Sequence, residues 1–340
     1  MSTVVEDLIQ IKNVKEDIKT AISNKGVDMT GVSFVDYPSK IDEIQGGEVV
    51  GYTARDYIEG IDFVNLYDSS ATKVRNYGFY NGVSLQTVDL PACKFIGSFA
   101  FFRCSSLQSI SLPACEYIYN YAFQSCYSLQ TADLPACVSI SIRAFEVCSS
   151  LQYISAPVCV SIGSSCFVNC YSLKTAYLPA CKFIGSFAFF RCSSLQSISL
   201  PACTTIGYSA FYECNSLQTA DLPVCTTIQT RTFWYCSRLQ YIYCPVCKSI
   251  GSYAFYQCQK LQSISIPVCS YLGSNAFATN ASLSIMTIGT ELSTVATMVN
   301  SNALAYCRAL QSIYVPASLV DAYKTAKNWS NYADKIVPFS

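Results

Sequence analysis

The chain has 340 residues and no histidine, and its 22 lysines and arginines are matched by 22 aspartates and glutamates. Balanced charge with no basic stripe argues against a nucleic-acid partner, and the missing imidazole removes the commonest general base and metal ligand, which counts against most hydrolases and oxidoreductases. No apolar run approaches the roughly 20 residues of a membrane-spanning helix, so no membrane insertion is expected.

Residues 1–47 read as an N-terminal segment of their own. Val4, Leu8, Ile11, Ile18 and Ile22 recur at helical spacing, and Gly26 stands where a C-cap would, so the pattern predicts a helix over residues 4–25. Lys15 interrupts its apolar stripe, which weakens a coiled-coil reading. Pro38 is placed to open a short second helix, and Gly46-Gly47 reads as a linker. Two roles stay open for this segment. One is an attachment or homo-oligomerisation piece; the other is a cap over the first repeat. The N-terminus mixes charges throughout and has no basic stretch ahead of an apolar one, unlike a secretory signal. A virion-associated or cytoplasmic location is therefore expected, or the cell surface if a leader precedes this sequence. Residues 48–84 read as a degenerate capping rung.

Residues 85–282 are a repeat. Ten phenylalanines, from Phe79 to Phe277, return every 22 residues without a slip, the signature of a stack of identical units. Counting from Leu85, each unit opens L-x-x-[IVA]-x-L-P-x-C. Positions 1, 4 and 6 point inward from a short strand, and positions 3 and 5 point out. Proline at position 7 cannot donate to a sheet ladder and ends the strand. The later I-G-x-x-A-F segment turns the chain back and fills the interior. Residues 94–115 and 182–203 are identical over a full unit, which reads as duplication of rungs.

The 20 cysteines follow the same register. Nine sit at position 9, from Cys93 to Cys269, and eight at position 20, from Cys104 to Cys258, with Cys307 in the equivalent place. Cys166 replaces an interior alanine and Cys244 an interior leucine. Stacked rungs about 4.8 Å apart separate like positions by more than a disulfide's Cβ spacing of about 3.5–4.5 Å, and zinc usually takes closely spaced pairs. The register therefore favours small buried thiols over disulfides or a metal site, and no metal or cofactor is expected.

Leu283 begins a divergent turn of 27 residues, and LQSIYVP over 310–316 supplies a last strand. Ser318 and Asp321 are spaced like a capping box. They predict a C-terminal cap helix with Leu319, Val320, Tyr323 and Ala326 on one face, followed by Trp329 and Tyr332. Residues 283–340 thus form the divergent last rung and its helical cap.

The L-P-x-C, I-G-x-x-A-F and C-S-S-L motifs, repeated about nine times over residues 63–316, resemble the BspA-type leucine-rich repeats. The resemblance implies an α/β solenoid, a right-handed coil of 22-residue rungs with a parallel β-sheet on one face and irregular or short helical turns on the other. It also implies a non-enzymatic adhesion or binding protein. The K-G-V…F-x-x-Y-P-x-K-I-x-x-I arrangement of the first 45 residues is similar to segments preceding repeat domains in tail-associated proteins of gut phages and prophages, implying attachment to a particle.

The strand-face carboxylates Asp89, Asp133 and Asp221 are two or more rungs apart, too far for a glycosidase pair. Binding has more support. Position 2 is a column of glutamines that includes Gln240, broken once by Lys174, and tyrosines replace Ser, Thr or Asp at Tyr153, Tyr177, Tyr241 and Tyr243. The glutamines fit either a side-chain ladder or a polar contact surface. Trp234 and Tyr235 add aromatics on the turn side. Tyrosine among serine makes an adaptable contact surface of low entropy cost, suited to a protein or a glycan. An intracellular scaffold is the alternative reading.

Overall fold

The structure is a computed structural model and describes residues 64–339. The predicted N-terminal helix, the Pro38 segment and the Gly-Gly linker lie outside the described residues. From residue 64 the chain coils into rungs that stack in 22-residue register as far as Ile285–Ile288, with Thr87 beside Ser109, Val88 beside Ile110 and Asp89 beside Ser111; the last rung is longer, with Ile285 beside Ser312. Each rung contributes to three hydrogen-bonded columns.

The first column is the expected strand. In Thr87–Asp89 the central valine is buried and its neighbours face outward, and twelve such strands run from Asn65–Tyr67 to Ser312–Pro316. In the regular rungs the strand stops ahead of the unit's proline, Pro91 to Pro267. The Cys93 N–H donates to the Leu90 carbonyl at 3.1 Å, closing a β-turn with Pro91 at the position where its fixed φ fits.

A second column was not expected. The two residues Phe95–Ile96 form a short strand, and eleven equivalents, from Lys73–Val74 to Thr297–Met298, make one continuous parallel sheet. The isoleucine of I-G-x-x-A-F thus ends a strand, on a side that the sequence assigned to irregular or short helical turns.

The third column is the turn. The Phe99, Phe101 and Arg103 N–H groups donate to the Asn120, Ala122 and Gln124 carbonyls of the next rung at 3.0, 2.7 and 2.8 Å, while Ala100, Phe102 and Cys104 bond back to Gly97, Phe99 and Phe101. Alternating outward and backward bonds demands left-handed backbone at Phe99 (φ 57°) and Arg103 (φ 58°), and equivalent residues repeat it, even the β-branched Val147 (φ 59°) and Thr279 (φ 63°). Left-handed backbone costs about 1–2 kcal/mol per non-glycine residue. The inter-rung bonds hold it in place.

Between the columns, the ten phenylalanine rings are buried and stack face to face, with centroids 5.0–5.5 Å apart. All twenty cysteines are free thiols, nineteen of them buried and Cys307 half-buried. Position-9 thiols donate to the carbonyl two residues on, as Cys93 does to Phe95 at 3.4 Å. Position-20 thiols reach the phenylalanine carbonyl of the preceding rung, as Cys104 does to Phe79 and Cys192 to Phe167, both at 3.1 Å.

Two features of the expected α/β class need correction. The rungs contain no α-helix, so the described residues form a β-solenoid. The C-terminal helical cap shrinks to one six-residue helix, Val320–Thr325, between two 3-10 turns, Ala317–Leu319 and Trp329–Tyr332. Ser318 caps nothing: the residue before the helix is Leu319, with no side-chain bond to the helix N-terminus. The cap is held by aromatics instead. The buried Tyr323 hydroxyl accepts the Ala296 N–H at 2.9 Å, and the Trp329 indole donates to the Ala296 carbonyl at 2.6 Å. The chain then finishes as strand Ile336–Phe339, paired parallel with Ser312–Pro316. Burying two large rings over the last rung outweighs the weak local signal of a capping box.

The strand face as candidate binding surface

The outward residues of the first column are set by strand alternation. Positions 3 and 5 project from a rigid sheet, so a tyrosine there has a fixed base and a free ring. Tyr153, Tyr177, Tyr241 and Tyr243 are all exposed, Tyr241 the most at 54%. The glutamine column forms its ladder through the backbone: Gln108 N–H donates to the Gln86 carbonyl at 2.8 Å and Gln130 to Gln108 at 3.1 Å. The glutamine side chains, Gln240 among them, are exposed, and Lys174 Nζ sits 3.5 Å from Gln152 Oε1 one rung below. Asp221 accepts a bond from Ser199 Oγ at 2.9 Å.

The first column is not continuous. Its twelve strands divide into hydrogen-bonded groups of six, three and three, the last extended by the C-terminal strand Ile336–Phe339. The breaks fall between Thr175–Tyr177 and Ser197–Ser199, and between Tyr241–Tyr243 and Ser263–Ile266. A shallow cleft marks each break. One, of about 220 Å³, is lined by Thr175, Tyr177, Pro179, Ser197, Ser199 and Pro201. The other, of about 330 Å³, is lined by Tyr241, Tyr243, Pro245, Ser263, Ser265, Ile285 and Thr287.

Three of the four tyrosines singled out from the sequence therefore line clefts, while Tyr67, which the sequence reading passed over, is exposed on the first strand. Tyr153 lies in the unbroken part, paired with Thr131 and Thr175, and Lys174 precedes Thr175 in the chain. The serines of both clefts escaped sequence reasoning, because serine is the consensus at those positions. Ile285 carried a usable signal: it is an apolar residue at an outward position, and it is 40% exposed.

Trp234 and Tyr235 lie in the turn column, apart from these clefts. Trp234 is half-buried, with the Arg231 guanidinium 4.7 Å from its ring centre and Tyr253 stacked on it at 5.0 Å. Its indole nitrogen is buried without a partner. The two clefts are lined by uncharged hydroxyl, aromatic and apolar residues. No group of three or more potential metal ligands occurs among the described residues, and none of their helices is long and apolar enough to cross a membrane.

The sequence model of the BspA type leucine rich repeat region matches residues 72–181, 160–284 and 226–327 in six copies. Among solved structures, the chain is similar to a leucine rich cell surface protein from Faecalibacterium prausnitzii, with 23% identity over 80% of this chain and 84% of that one and a TM-score of 0.45. A leucine-rich repeat protein from Bacteroides ovatus is 22% identical over 82% and 92% of the two chains, with a TM-score of 0.42. The T. pallidum leucine rich repeat protein is 24% identical over 58% and 81%, with a TM-score of 0.42. No curated protein matches. The matched segments run without a gap from residue 72 to residue 327, and the chain belongs to the BspA-type leucine-rich repeat family.

Proposed function

We propose that the protein is a non-enzymatic binding protein that recognises a protein ligand on its strand face, centred on the cleft between Tyr241–Tyr243 and Ser263–Ile266. The observation that carries this reading is the coincidence of a ladder break with two exposed tyrosines on a rigid wall. A cleft of about 330 Å³ accommodates one large side chain of a partner, and a few aromatic anchors seated this way supply most of an interface's energy. The surrounding flat face of Gln, Ser and Thr supplies adaptable hydrogen bonds. Tyr153, Tyr177 and Lys174 extend the same face toward the N-terminus. Carriage on a phage particle or a cell surface rests on the resemblance of residues 1–47 to tail-associated proteins.

The test is a screen of the full chain against arrays of host surface proteins and of glycans, followed by Tyr241→Ala with Tyr243→Ala. Loss of two hot-spot rings weakens binding by about 2–4 kcal/mol, or roughly 30- to 1000-fold. A detected protein ligand bound unchanged by the double variant refutes the strand-face site. Binding confined to the glycan array replaces the protein ligand with a sugar.

A further inference from the structure

Cys244 is the one cysteine at position 6, where Leu90, Leu112, Leu134, Leu178, Leu200 and Leu222 stand in other rungs. It turns the recurring L-P-x-C corner into Cys244-Pro245-Val246-Cys247. The Cys247 N–H donates to the Cys244 carbonyl at 3.2 Å, so the two cysteines are the first and last residues of a closed β-turn. The ends of such a turn lie within about 7 Å, and a disulfide spans Cα atoms about 4.4–6.8 Å apart. Both side chains point into the rung, 1% and 0% exposed, and the two thiols shift each other's ionisation in opposite directions. Cys247 Sγ also bonds to the Ser249 carbonyl at 3.3 Å.

From this geometry we infer that Cys244 and Cys247 are a redox-active dithiol beneath the strand-face cleft, which closes to a disulfide by exchange with a low-molecular-weight disulfide. Of the remaining cysteines, all but Cys166 and Cys307 stand in the two ladders, each with its like neighbour a rung away.

Reactivity separates the pair as well. Burial pushes the other eighteen thiols up, whereas the S–H···S interaction within the pair pulls Cys247 below the ordinary thiol range and, together with burial, holds Cys244 well above it. A lowered thiol in a Cys-x-x-Cys turn is the usual attacking group. Neither sulfur lines the cleft, so exchange requires local opening of this corner, and the missing ladder bonds beside Tyr243 and Pro245 lower the cost of that opening.

The step balances as two exchanges. The Cys247 thiolate attacks one sulfur of the small disulfide, forming a mixed disulfide and releasing one small thiolate. The Cys244 sulfur then attacks Cys247 Sγ, forming the internal disulfide and releasing the second. Two protein thiols are oxidised, the external disulfide is reduced to two thiols, and the two protons pass to the departing sulfurs.

The experiment incubates the native full chain with glutathione disulfide near neutral pH, quenches in acid, alkylates after unfolding and maps each cysteine by mass spectrometry. The expected result is a loss of two hydrogens confined to the peptide holding Cys244 and Cys247, with the other eighteen of the 20 cysteines alkylated. Cys244→Leu restores the residue of six other rungs and is expected to keep the circular dichroism of the fold. In that variant the internal disulfide is abolished and Cys247 stops at the glutathione adduct. Oxidation spread over the two ladders, or Cys244 and Cys247 alkylating as fully as the rest, overturns the proposal.

Discussion

Raising the pH should dismantle this protein through its own core. Burial holds eighteen of the twenty thiols above their ordinary value. Cys159 and Cys203 are pushed up to about 11, and Cys104 to about 12. In the unfolded chain a thiol ionises near pH 8.5. Above that pH the folded state binds more protons than the unfolded one, so stability falls as pH rises. The contribution is fully present below about pH 8.5 and is lost as pH climbs toward the folded values. Each thiol costs about 1.4 kcal/mol per pH unit in this window. By about pH 10, ten such thiols remove about 20 kcal/mol, more than the 5–15 kcal/mol that holds a typical domain together. The assay is denaturant unfolding at several pH values between 7 and 10, with far-ultraviolet circular dichroism and thiolate absorbance recorded together. The denaturant midpoint should drop steeply above about pH 8.5, and thiolate beyond that of the lowered Cys247 should appear only as the fold is lost. A flat midpoint, or many thiolates forming while the dichroism is retained, refutes the reasoning.

Two further predictions concern stability. Asn280 occupies position 20, fully buried, and neither its side-chain nitrogen nor its oxygen has a partner. Asn280→Cys continues the thiol ladder and should stabilise by about 1–3 kcal/mol, the cost of an unpaired buried amide; a midpoint that does not rise in denaturant unfolding contradicts the packing described. Tyr323→Phe strands the buried Ala296 N–H, which the tyrosine hydroxyl accepts. It should cost about 1–3 kcal/mol, visible as earlier thermal loss of the Trp329 environment by fluorescence, and an unchanged melt would show that the cap does not depend on this bond.

The inward residues were legible because the same residue returns at the same place in every rung and burial alternates along each strand. Leu85, Val88, Leu90, Phe101 and the cysteine ladders follow from that alone. The turn column was not legible. Residues such as Phe99, Arg103, Val147 and Thr279 announce nothing about left-handed backbone, since their conformation is enforced by bonds to the next rung and not by local preference. The two-residue strand at Phe95–Ile96 is too short to show any period. At the C-terminus a capping-box pattern misled, because Tyr323 and Trp329 fix the cap through Ala296. At the candidate site, Tyr177, Tyr241 and Tyr243 stood out by replacing Ser, Thr or Asp. The ladder breaks beside them left no mark, because Ser197, Ser199, Ser263 and Ser265 are ordinary consensus residues.

The turn column has an electrical consequence. Within it, the inter-rung N–H groups point toward the C-terminal end and the carbonyls they meet point back, as in the bonds from Tyr77 to Ser98, Phe79 to Ala100 and Asn81 to Phe102 and their repeats along the chain. Three files of peptide dipoles therefore add in one sense, whereas strand dipoles largely cancel. A file of aligned peptides carries about half a charge at each end, as in a helix. The peptide groups of the described rungs thus form an axial dipole, negative at the first rung and positive at the cap. Near a charged surface it has a preferred heading, and transient electric birefringence would measure the moment.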